Sequence, residues 1–425
     1  MIEKARERKW LKAQGRQRTD STHVLGAIRA LNRLECVVET MRHALNSLAV
    51  AAPDWVRSHA KPEWVDRYGP RADDYRLPKK DDARRSHAEM VGGDGFVLLK
   101  AVYEDGSWNW LSKLGAVETL RRVWVQQFYV SSNTIHWRTP EEGFPPSSLF
   151  LSSPYDREAH YAKKRSISWI GYKVHVTEAC DPDAPHLITH VETTTAPVAD
   201  CDMTASIHLA LAAKDLSPKT HLVDTGYLTA DLLVSSDRRH GIHLLGQVRG
   251  DHHRQARERK GFAASDFEVD WEKQQAHCPA GCVSSSWTPV LDVGKKPKIK
   301  IKFSGSDCSV CVRQKDCTHS KGSRRTLTLP PQSEYIRLRS ARDKQSDPSF
   351  AKEYAQRAGI EGTVSQAVRA FGLRRCRYIG MSKTHLQHIL TAAAINFVRI
   401  GCWLADNPHA KTRQSRFSAV MQVAV

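Results

Sequence analysis

The chain has no apolar run approaching the length of a bilayer span, and no apolar core of a signal peptide follows its opening Met1-Ile-Glu-Lys-Ala-Arg6. Internal repeats and low-complexity tracts are also missing. Membrane spans, secreted scaffolds and repeat arrays are therefore excluded as readings, and a cytoplasmic protein is expected. Acidic residues are scarce: 46 Asp and Glu against 64 Lys and Arg leave a formal charge of +18, which favours a polyanionic partner. Ten cysteines in 425 residues are too few and too clustered for a disulfide framework, so metal ligation or burial is expected of them. What is present is enough apolar sequence (40%) for two or three domains, and eleven Trp with eleven Tyr, which fit an ordered nucleic-acid binder better than a basic tail.

Taken in order, residues 1–49 read as a basic amino terminus leading into a helix. Residues 1–18 carry seven Lys or Arg, and Val24, Ile28, Leu31, Leu34, Val38, Met41, Leu45 and Leu48 follow at helical spacing. Asp20 sits at the junction, where an N-cap is the ordinary role. Residues 50–150 read as a mainly helical insert. Its first part, 54–95, is rich in turn signals such as Gly69-Pro70 and Gly92-Gly-Asp-Gly95. Over 151–249 the period changes to two, then strands and helices alternate, which predicts a mixed α/β sheet flanked by helices. A strand-rich basic insert with a cysteine cluster spans 250–340. Helices return over 341–405, where the apolar run Leu386 to Leu404 predicts a buried core helix, and 406–425 is a tail.

Three acids carry candidate chemistry. Tyr354, Arg357 and Glu361 are three and four residues apart, so a helix places them on one face. Asp224 ends the apolar strand His221-Leu-Val, at the carboxyl edge where ligands of open α/β sheets gather. Together with Asp20, these carboxylates can hold two Mg²⁺ ions, which activate a nucleophile and stabilise the leaving oxygen at a phosphodiester. Taken singly, each acid has an ordinary reading as a cap, a turn residue or half of a surface ion pair.

The cysteines Cys278-x3-Cys282 and Cys308-x2-Cys311-x5-Cys317 have the spacing of a tetrahedral structural Zn²⁺ site. Cys278, Cys308, Cys311 and Cys317 are the preferred ligands, with Cys282 spare because it follows Gly281 so closely, and unligated buried thiols are the alternative. The basic stretches Arg254-x2-Arg257-x-Arg259-Lys260, Lys295 to Lys302 and Arg374-Arg-Cys-Arg377 suit phosphate contacts that position a duplex without reading its sequence.

The blocks Thr19-Asp20-Ser-Thr, Leu222-Val-Asp224-Thr-Gly-Tyr and Tyr354-x2-Arg357-x3-Glu361 resemble the DDE transposases of bacterial insertion sequences, in the branch with a Tyr-x2-Arg-x3-Glu-x6-Lys signature. Ser153-Pro-Tyr-Asp156, Gly171-Tyr-Lys-Val-His, Arg377-Tyr-Ile-Gly and Lys383-Thr-His-Leu-Gln add to the likeness. It runs from about Trp10 to Leu404. The signature lysine falls at Val368, with Arg369 beside it.

The resemblance implies an RNase H-like core with a strand-rich insert between the second Asp and the Glu, which the cysteine spacing makes zinc-ribbon-like. Asp20, Asp224 and Glu361 would hold Mg²⁺ (or Mn²⁺), while Tyr354, Arg357, Arg369 and Lys383 would hold DNA. The expected partners are transposon-end and target DNA, with a homodimer in the DNA complex, in a nucleoid-associated bacterial protein. Relatives carry a further amino-terminal helical region, so an amino-terminally truncated copy is expected. The alternatives are a metal-dependent nuclease without strand transfer, and a DNA-binding remnant.

Overall fold

The computed structural model describes residues 1–104, 106–251, 254–258, 261–319, 324–407, 416–417 and 420. Arg259 and Lys260, and most of the tail over 406–425, lie outside the described residues. The chain forms two compact units that interleave in sequence. The first comprises 1–20, 177–190 and 199–361, and the second 21–176, 191–198 and 362–425.

A mixed sheet has the strand order His160–Lys164, Ile167–Ala179, Arg16–Leu25, Thr220–Val223, His243–Leu245, with Ile188–Thr195 paired to Ile167–Ala179. Arg16 to Thr19 pair in parallel with Thr220 to Val223, and Thr220 to Leu222 pair in parallel with His243 to Leu245. Helices Asp200–Ala212 and Ala230–His240 supply the crossovers that parallel neighbours require.

Asp20 therefore lies within a strand, not at a helix cap. The spacing of Val24, Ile28 and Leu31 imitates a helix, but Thr22 and Val24 alternate into the interior as β-branched strand residues do. The helix itself begins at Arg33, where Asn32 forms a capping box with Glu35.

In the second unit, Leu34, Val37, Val38, Met41 and Leu48 of helix Arg33–Ala51 form one core with Trp55, Trp64, Leu98, Leu120 and Trp124. The supposed turn Gly92-Gly-Asp-Gly95 lies inside helix Asp81–Glu104. Its glycines serve close packing: a Cβ on Gly95 would lie 2.2 Å from the Trp124 ring, and Trp124 Nε1 donates to the Gly92 carbonyl at 2.8 Å. Three blocks of the sequence likeness meet at Asp156, which accepts from the Tyr172 hydroxyl at 2.7 and 2.8 Å and from the Gly380 N–H at 3.2 Å.

The expectation of a buried apolar helix over Leu386 to Leu404 is corrected. Helix Met381–Leu404 buries Thr384, Gln387, His388, Thr391, Ile395 and Asn396, while Leu386, Leu390 and Phe397 face outward. Polar side chains reach the interior because they have partners there, as His388 does in Thr193 Oγ1 at 2.8 Å.

In the first unit, strands Ser284–Leu291, Pro297–Phe303 and Thr326–Leu329 form an antiparallel sheet. It packs Ile301, Phe303, Leu327 and Leu329 onto Phe267. Among the described residues no helix is long and apolar enough to cross a membrane.

Candidate active site

The ladder pairs Thr19 with Val223, so Asp20 follows on the first strand while Asp224 stands just past the end of its parallel neighbour, capping the turn Thr225–Tyr227. Strand neighbours are about 4.8 Å apart, and matched side chains rise from the same face. Leu222, one step before that pair on the same face, is buried with Cys180 and Leu245, and Phe350 and Tyr354 pack over them. The segment carrying Tyr354, Arg357 and Glu361 thus lies over the acids. It comprises helix Pro348–Tyr354, a tight turn of 3₁₀ helix Ala355–Ala358, and helix Gly359–Phe371.

Two buried devices hold this arrangement, and neither drew attention in the sequence. Arg18 pairs with the fully buried Glu178 at 2.6 Å, and its Nη1 donates to the Gln356 carbonyl at 2.5 Å, tying strand to helical turn. Arg16 adds a 3.2 Å ion pair to Glu353. A Cβ on Gly359 would lie 2.1 Å from Arg18 Nη1, so a glycine there lets the arginine pass. On the opposite sheet face, Thr19 Oγ1 bonds Thr177 Oγ1 at 2.7 Å and His221 Nε2 at 2.6 Å, and His221 Nδ1 bonds His208 Nε2 at 2.9 Å. Burial drives both histidines down, His208 to about 4, so the chain of bonds is neutral. Spacing could not announce these contacts, since Arg18 and Glu178 are 160 residues apart.

At the surface of the site, Arg357 bridges two of the three acids. Its Nη1 lies 3.3 Å from Asp20 Oδ2 and its Nη2 2.5 Å from Glu361 Oε1, with the guanidinium 5.8 Å from the Tyr354 ring centre. Burial opposes the charge on Arg357, but Tyr354, Glu361 and Asp20 together push its pKa up. Burial raises the Tyr354 hydroxyl, the Arg357 charge opposes that, and the charges of Asp224 and Asp20 add to it. Asp224 Oδ1 accepts from the Gly226 N–H at 2.8 Å, which fixes its carboxylate at the strand end.

An all-oxygen carboxylate set suits Mg²⁺ or Mn²⁺. Arg357 engages both Asp20 and Glu361, while Asp224 accepts from the Gly226 N–H. Among the described residues no three His, Cys, Asp or Glu side chains are placed to hold a metal. That holds for the cysteines as well, although Cys278, Cys282, Cys308, Cys311 and Cys317 border one cavity. Cys282 belongs to this group, for its N–H donates to Cys278 Sγ at 3.3 Å. Arg369 and Lys383 are exposed residues of the second unit, and Val368 is half-buried.

Residues 277–401 match the family model described as a transposase DDE domain. The matched stretch contains Glu361 with Tyr354 and Arg357, and it excludes Asp20 and Asp224. It supports a DDE transposase, a class of nucleic-acid-processing enzyme whose members generally use divalent metal. No curated protein matches the chain.

Proposed function

We propose that the protein is a DDE transposase that hydrolyses the phosphodiester at the ends of an insertion sequence and transfers the freed strand into target DNA. The observation that supports this reading is that Asp20 and Asp224 each follow the paired residues Thr19 and Val223 of adjacent parallel strands, beneath the segment bearing Glu361. The strand order, with Ile167–Ala179, Ile188–Thr195 and His160–Lys164 on one side of Arg16–Leu25 and two parallel strands on the other, supports an RNase H-like core. The antiparallel sense follows from contacts that run in opposite order along the strands: Cys180 with Arg16 and Thr177 with Thr19, and Ala179 with Leu187 and Thr177 with Thr189.

Asp20 and Asp224 would hold Mg²⁺ or Mn²⁺, with Glu361 joining them once it parts from Arg357. The bound cation would supply Lewis-acid activation of the attacking oxygen and stabilisation of the leaving one. Arg357 and Tyr354 orient the DNA end, the first through phosphate and the second by its ring, while Arg369 and Lys383 add phosphate contacts. Such a protein works on DNA as a homodimer, associated with the nucleoid. A structural Zn²⁺ held by Cys278, Cys308, Cys311 and Cys317 is part of the proposal, supported by their shared cavity. One zinc per purified chain is expected, and its absence with all five thiols freely reactive overturns that part.

The principal test is incubation of end DNA with Mg²⁺ and either the natural chain or Asp224→Asn. Cleaved and joined products are expected from the natural chain. The variant should lose about 10³-fold in rate, from several kcal/mol of lost transition-state stabilisation, while still binding DNA. Metal-dependent joining retained by the variant refutes the assignment, and cutting without joining reduces it to a nuclease.

A further inference from the structure

The basic stretch Lys295 to Lys302 runs into the central strand of the three-stranded sheet in the first unit, and the carboxylate site makes no use of it. Ile299, Ile301 and Phe303 of the central strand Pro297–Phe303 turn inward to the Phe267 core, so Lys298, Lys300 and Lys302 form a row on the opposite face. Strand pairing sets Thr288 beside Lys300 on one flank, and Thr328 and Thr326 beside Lys300 and Lys302 on the other. Lys300 and all three threonines are exposed.

None of the three strands contains an Asp or Glu. A solvated face normally intersperses both signs, so a single-sign row needs a reason. Glu334 lies within electrostatic reach of the row: burial and the charge of Asp231 push its carboxyl up, and Lys298 and Lys296 pull it down. Lys296, just outside the strand, is engaged by Asp231 at 3.3 Å.

We infer that this face is a docking surface for the phosphate backbone of duplex DNA, held without reading sequence. Alternate residues of a strand are about 6.8 Å apart, so the three ammonium groups span about 13 Å, close to the rise of four base pairs at 3.4 Å each. Three repeated charges at that pitch meet a repeating polyanion, and flanking hydroxyls donate to phosphate oxygens as they do in DNA interfaces generally. A lipid surface is the weaker match. Val290 is the one apolar residue at these register positions, whereas interfacial binding rests on buried apolar area. The inference rests on the proposed function only in taking the polyanion to be DNA.

The test is a salt titration of binding to a duplex of random sequence, without divalent metal, using the full chain. The probe is fluorescence anisotropy, and the variants are K298Q/K300Q/K302Q, K298R/K300R/K302R, and a triple substitution on the other unit, K61Q/K80Q/K113Q. The slope of log affinity against log salt should fall in magnitude by about 2 to 3 in the first variant, since each neutralised phosphate contributes about 0.9. The arginine variant and the distant triple should keep the natural slope, and circular dichroism should show all three folded, because no altered side chain enters the core.

An unchanged slope in the first variant overturns the inference, as does an equal fall in the distant triple. So does a loss seen only with vesicles of anionic lipid. Failure of the Mg²⁺ cleavage assay would leave these slopes untouched, so the two readings fail separately.

Discussion

The parallel part of the mixed sheet and the three-stranded sheet of the insert make opposite use of polar residues. In the parallel sheet, the acids stand over side chains with buried partners on both faces: Arg18 with Glu178 and Gln356 on one, Thr19 with Thr177 and His221 on the other. In the three-stranded insert, one face is apolar and packed while the other carries lysines and threonines that no core contact constrains. The difference separates a region built to hold a geometry from one built to present a charge. A reaction centre needs its carboxylates fixed to within a fraction of an ångström. A surface that grips phosphate does not.

The contrast is sharpest at Arg18. Arg18→Ala should destabilise the fold by roughly 3 kcal/mol, because it removes the guanidinium partner of a fully buried carboxylate. Urea unfolding measures this, and a loss below about 1 kcal/mol would place the parallel sheet on the same footing as the insert. Arg357→Ala comes next. Half-buried and paired with Asp20 and the exposed Glu361, it should cost about 1 kcal/mol in stability yet weaken binding of end DNA about tenfold, read by anisotropy.

The buried histidines give a pH-dependent arm. His208 is held near 4 in the folded chain against about 6.5 when unfolded, so the unfolded state binds more protons between those values. Stability from this neutral pair is complete above pH 6.5 and is lost as pH falls towards 4. His208→Asn should flatten that decline in a series of thermal midpoints, although His388, also lowered to about 4, keeps part of it. The smallest effect is expected in the insert, where Lys300→Gln should change unfolding free energy by no more than about 0.5 kcal/mol. A larger loss would mean that the lysine face is structural after all.

Local chemistry made some of this legible before any fold was known. Asp224 follows an apolar run and precedes Gly226, and the structure has strand Thr220–Val223 ending one residue before it. Helical spacing placed Arg357 with Glu361, and they are ion-paired. Alternation in Pro297–Phe303 marks a strand with one charged face. The misreadings share a cause. The apolar spacing around Val24 and the glycines of 92–95 were judged by local periodicity and turn propensity, whereas a neighbouring strand and the Trp124 ring decided them.

By itself, the sequence determined the charge balance, the alternating and helical periods, and which carboxylates stand beside aromatic and basic residues, because these depend on residues within a few positions of one another. Only the tertiary structure decided that Asp20 lies in a strand beside Asp224, that Arg18 reaches Glu178 and Gln356, and that two units interleave along one chain. Those facts are pairings over 160 to 338 residues, and such pairings are settled by burial and hydrogen-bond satisfaction, which no local pattern encodes.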